Sequence, residues 1–90
     1  MKVDVYDTYA KSNQGHIIHF DVLIPSGTNA DQALIYAQKW LVQIGENAKA
    51  LDQSRCNFCH TEKANLDAQA DIQKQGYHIL QMEGSPKPVF

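Results

Sequence analysis

Residues 2–24, KVDVYDTYAKSNQGHIIHFDVLI, decide the fold of this chain. Val3, Val5 and Tyr9 share one face at period two, and Asp4, Tyr6 and Thr8 share the other, which predicts a strand from Lys2 to Ala10 with one buried side. Lys11 to Gly15 is rich in turn formers, and His16 to Ile24 is dense in β-branched and aromatic residues. A hairpin is the economical connection between two such segments.

Beyond the hairpin, Pro25, Ser26 and Gly27 stop the second strand, and Thr28 or Asn29 is placed to cap a helix. Ala30, Ala33, Leu34, Ala37, Leu41 and Ile44 keep the helical period up to Gly45, where a left-handed close costs least. Residues 46–55 read as connector, with a short strand near Leu51 to Cys56. A second helix is expected from Asn65 to Gln75, with Leu66, Ala68 and Ile72 inward and Gly76 as its stop. Tyr77 to Glu83 reads as a closing strand. The expected class is α+β, two-layered, with a small, mostly antiparallel or mixed sheet in the order β-β-α-(β)-α-β and both helices packed on one face. The other face is then open to a partner. Residues 1–84 form the single expected domain, and 85–90, with Pro86 and Pro88, a flexible prolyl tail whose functional reading is a short docking segment.

Ninety residues leave no room for a second core, and 43% hydrophobic content is enough to fill one. A formal charge of −2 and a pI near 6.0 provide no broad positive field, so nucleic acid is not an expected partner. The opening MKVDVYDTYA lacks the unbroken apolar stretch of a signal peptide, and no segment approaches membrane-spanning length. The expected location is the cytoplasm.

Cys56 and Cys59, in RCNFCH, are too few and too close to staple a secreted miniprotein. Their spacing lets a tight turn aim both sulfurs at one zinc ion, or join them as a disulfide. The pair is half of a tetrahedral site, and the remaining ligands are sought among the histidines: His60, which would have to fold back sharply, or His19, which can approach across space from a strand, as can His16 and His78. His16 and His19, three apart on a regular strand, face opposite sides of the sheet. The expected metal set is therefore Cys56, Cys59, His60 and His19. CxxCH is also the covalent haem pattern, with His60 and Met82 as axial ligands, but the expected compartment and the strand-rich reading argue against it. A thiol-redox role needs a sulfur at a helix N-terminus, and the second helix starts too late to provide one. The bland alternative is two reduced cysteines acting as small hydrophobes.

Asp4, Asp7 and Asp21 come together if the hairpin pairs as expected, either as a coupled carboxylate cluster or as a solvated face; no nucleophile or phosphate loop accompanies them. Tyr36 and Trp40, four apart on the first helix, are expected in the core unless both prove exposed.

Taken together, VYDTY (Val5 to Tyr9), GHIIHFDV (Gly15 to Val22), KWLVQIGE (Lys39 to Glu46), CNFCH (Cys56 to His60) and KQGYHILQMEG (Lys74 to Gly84) span nearly the whole chain. In these blocks the chain resembles a small bacterial family known as a domain of unknown function. The resemblance implies a compact α+β fold and brings no activity, cofactor or catalytic residue. Three functions remain open: a zinc-binding domain centred on the CxxCH segment, an interaction or self-associating module (a homo-oligomer through the open sheet face), and a thiol-redox protein. No nucleophile, base and oxyanion group assemble in the sequence, so the reading leans away from an enzyme.

Overall fold

In the computed structural model, which describes residues 1–82, the chain forms a four-stranded antiparallel sheet with two helices. β1 (Lys2–Lys11) and β2 (Ile17–Pro25) make the expected hairpin, in unbroken register from Val3 opposite Pro25 to Lys11 opposite Ile17. Helix α1 (Ala30–Gln43) follows, then two single 3-10 turns, Ala48–Ala50 and Gln53–Arg55. β3 (Cys56–Lys63), α2 (Leu66–Gln75) and β4 (His78–Gln81) complete the order. The sheet runs β3-β1-β2-β4, so the hairpin is central and the later strands are its two edges. The expected tail at 85–90 and the last residues of the 1–84 domain lie outside the described residues.

The helix ends obey the local chemistry that the sequence announces. Asn29 caps α1, accepting from the Gln32 backbone N–H at 3.0 Å, and Asn65 caps α2, accepting from Ala68 N–H at 2.8 Å. Gly76 closes α2 at φ +96°.

Helix placement differs from expectation. Each helix must carry the chain across the sheet, α1 from β2 to the β3 edge and α2 from β3 back to the β4 edge. The two crossings use opposite faces. Even-numbered hairpin residues Tyr6, Ala10, Ile18, Phe20, Val22 and Ile24 pack with Ala33, Ala37, Trp40 and Leu41 of α1. Odd-numbered Val3, Val5 and Leu23 pack instead with Ala64, Ala68 and Ile72, under α2. The physical reason is visible in Val5-Tyr6 and Val22-Leu23-Ile24: adjacent strand residues point to opposite sides, and all of these are buried. A sheet with apolar residues on both faces needs cover on both.

Other expectations shift with this arrangement. Leu66, expected inward, is 82% exposed, because the buried stripe of α2 is carried by Ala68 and Ile72. Trp40 lies against Phe20 with ring centroids 4.5 Å apart, and Tyr36 stacks on Tyr77, so the aromatic pair on α1 belongs to the core. The CNFCH segment sits within an eight-residue edge strand rather than a tight turn, and residues 51–55 form no strand. Only Cys56 of β3 is buried, which is why its hydrophobic pattern gives so little sign of a strand. No helix among the described residues is long and apolar enough to cross a membrane.

Candidate functional site

Helix α2 covers only one end of the odd face, over Val3, Val5 and Leu23. The rest of that face displays Asp7 and Tyr9 from β1, with Ile17, His19 and Asp21 from β2. Asp7 is directly opposite Asp21, and Tyr9 directly opposite His19. Leu80 of β4, paired with Asp21, flanks them on one side. Tyr9, Ile17 and Leu80 are exposed there, an apolar rim around a polar centre.

That centre is Asp7, His19 and Asp21, whose ligand atoms all lie within 4.8 Å of one another. His19 Nε2 is 2.5 Å from Asp7 Oδ1, and the imidazole stacks on the Tyr9 ring at 4.2 Å, which holds the nitrogen toward the carboxyl. Asp21 is buried at 8% exposure beside a second carboxyl. Burial, then the charge of Asp7 and a hydrogen bond with it, push the Asp21 carboxyl up to about 6, while His19 and His60 pull it back down. Asp7 also leads the causes that raise the Tyr9 hydroxyl, followed by burial. Two carboxyls and one imidazole held this close can share a proton or chelate a cation.

The four residues expected to bind metal do not converge as a set. Cys56 is opposite Thr8 on the even face, buried in the core, and its thiol accepts from Thr8 Oγ1 at 3.6 Å. Burial pushes that thiol up, against a smaller lowering by the Thr8 hydrogen bond. Cys59 is exposed, and both cysteines are free. Between Tyr6, opposite Phe58, and Val5, opposite His60, the β1–β3 register slips by one residue, and Cys59 is the extra one. The bulge sends Cys59 toward His60, whose Nδ1 is 3.3 Å from the sulfur and whose Nε2 is 2.9 Å from Glu62 Oε1. Cys59 and His60 therefore share the odd face with His19, while Cys56 lies across the sheet from them. The chelating, haem-attachment and disulfide readings of the CxxC spacing all require both sulfurs on one side.

His16 sits in the hairpin turn, with Nδ1 2.9 Å from Ser12 Oγ. Of the three aspartates weighed as a cluster, Asp4 is on the even face and accepts from Ser26 Oγ and Thr61 Oγ1, bonds that hold its carboxyl below the usual range. Asp7 and Asp21 do meet, and the signal was in the hairpin register.

Comparison with known proteins places this architecture. The model of the Domain of unknown function (DUF2024) family matches residues 1–82. The chain belongs to the DUF2024 family. Its fold is similar to the NMR structure of protein NE1680 from Nitrosomonas europaea, at 40% identity and a TM-score of 0.82, covering 96% of this chain and all of that one. No curated protein matches the chain. For DUF2024 these likenesses give a fold and no activity.

Proposed function

We propose that this DUF2024 protein is a small metal-binding domain whose site is Asp7, His19 and Asp21, with zinc or a similar first-row divalent ion as its ligand. The observation that carries the reading is the convergence of three ligand atoms within 4.8 Å of one another on the half of the odd face that α2 does not reach. Like charges directly opposite in a sheet are destabilising. A divalent cation at this point neutralises Asp7 and Asp21 together and replaces the proton that otherwise bridges them. Two carboxylate oxygens and an imidazole nitrogen suit zinc, iron or manganese better than a site made of oxygen alone. A cytoplasmic location is part of the proposal, as the low cysteine count and reduced thiols favour that compartment.

The test is zinc titration of chelator-treated protein, followed by native mass spectrometry and thermal unfolding. One zinc per chain is expected, and zinc at 100 times its Kd adds about 2.7 kcal/mol to stability. His19→Ala and Asp21→Asn abolish binding, and Cys56→Ser retains it. Wild-type protein that takes up no zinc, iron or manganese would refute the proposal.

A second reading is self-association through the same face, favoured by the exposed Tyr9, Ile17 and Leu80. It predicts a concentration-dependent dimer in sedimentation that chelator leaves unchanged.

A further inference from the structure

Cys59 and His60 are adjacent in β3, and adjacent residues of a regular strand point to opposite sides of the sheet. Their side chains meet because the β1–β3 register slips between Phe58 and His60 and leaves Cys59 as the extra residue. The contact continues outward: His60 Nδ1 is 3.3 Å from Cys59 Sγ, and its Nε2 is 2.9 Å from Glu62 Oε1. A carboxylate only accepts, so the imidazole proton sits on Nε2 and is donated to Glu62. Nδ1 is then the bare nitrogen of a neutral imidazole, and the thiol donates to it. A nucleophile, its base and the group that orients the base thus come from one short stretch of β3.

We propose that Cys59, His60 and Glu62 form a thiol–disulfide exchange site whose substrate is a low-molecular-weight disulfide. All three side chains are exposed, those of His60 and Glu62 by 53% and 47%. Acyl transfer by a cysteine calls for oxyanion donors in a site that excludes water, and this one is open to it. Exchange at sulfur calls for a thiolate and free access to it. The Cys59 proton passes to His60 Nδ1, and Sγ attacks one sulfur of the disulfide. An Sγ–S bond forms as the S–S bond breaks, and the departing thiolate takes the proton from His60. Cys59 is thereby oxidised to a mixed disulfide, and half of the small disulfide is reduced to a thiol. Cys56 cannot resolve that product, because it is buried across the sheet from Cys59. A second small thiol does so, which makes the cycle that of a single cysteine. The site shares no residue with the Asp7, His19 and Asp21 centre, so it stands apart from the metal reading.

The probe is 2-hydroxyethyl disulfide, added to full-length metal-free protein at neutral pH, with mass spectrometry to count and place the adduct. A single adduct on Cys59 is expected, and none in native Cys59→Ser. His60→Ala should react at least about tenfold more slowly, a smaller effect than the ~10²–10⁴-fold typical of general acid–base catalysis because water competes at an exposed site. Added imidazole should restore the His60→Ala rate and leave wild type unchanged. Glu62→Ala should also slow the reaction, and Glu62→Gln, which keeps an acceptor for Nε2–H, should recover part of the loss. Equal rates in wild type and His60→Ala would overturn the site, as would imidazole that speeds both alike. A Glu62→Ala rate equal to that of wild type would remove Glu62 from it. A Cys56–Cys59 disulfide in the product would overturn the single-cysteine cycle.

Discussion

Asp7 and Asp21 are register partners in the β1–β2 ladder, two carboxyls facing one another on the half of the odd face that α2 does not reach, with His19 against the first of them. The hairpin brings like charges together where a strand pair ordinarily separates them. The cost of that arrangement is measurable in metal-free protein.

Asp21 is raised from its ordinary 3.8 to about 6, first by burial and then by Asp7. In this pH range the folded state holds a proton that the unfolded chain has released. The contribution of the group is therefore fully present below the unfolded value and lost as pH rises through about 6. Asp7, His19 and His60 act on the same carboxyl, so the comparison is made against Asp21→Asn. Relative to that variant, metal-free wild type should lose on the order of 2–3 kcal/mol between about pH 4 and about pH 7.5. Urea unfolding in chelator at stepped pH reads this directly, and a constant difference between the two proteins contradicts it.

The two thiols should react very differently. Cys59 is exposed and Cys56 is buried among core residues. Iodoacetamide followed by mass spectrometry should label Cys59 in the native protein, with Cys56 at least roughly a hundredfold slower because it waits for a local opening. Equal labelling of both under native conditions would be inconsistent with this core.

Gly76 carries two constraints and Gly45 only one. Both have positive φ, but a Cβ on Gly76 would lie 2.5 Å from the Tyr36 hydroxyl, whereas one on Gly45 meets nothing within 4 Å. Gly45→Ala should cost about 1–2 kcal/mol from conformation alone. Gly76→Ala should cost about 2–4 kcal/mol, since it also displaces the ring stacked on Tyr77. Chemical denaturation of the pair checks the ordering.

At the start of α2 the polar residue should matter more than the apolar one. Asn65→Ala removes the acceptor for Ala68 N–H and should cost about 1 kcal/mol. Leu66→Ala, at an 82% exposed position, should stay within about 0.5 kcal/mol of wild type. A larger loss at Leu66 would place it in a contact that α2 does not make.

These residues also mark where sequence reasoning reaches and where it stops. The hairpin, a cap at Thr28 or Asn29, of which the structure uses Asn29, the Asn65 start and the Gly45 and Gly76 stops were legible because each depends on chemistry within a few residues along the chain. The pairing of Asp7 with Asp21 was nearly so, because a hairpin converts sequence separation into register. β3 was read as a turn, because an edge strand with one buried residue has almost no hydrophobic period to detect.

The sequence by itself determined the α+β class, the order of the elements and the hairpin at the centre, since period, caps and turn residues are local properties of the chain. Only the tertiary structure decided which face each helix covers, that Cys56 and Cys59 are separated by the sheet, and that a bulge places Cys59 with His60 on the face of Asp7, His19 and Asp21. Those outcomes depend on register between strands about 50 residues apart in the chain, as with Thr8 and Cys56, and a slip of one residue reverses the face of every side chain beyond it.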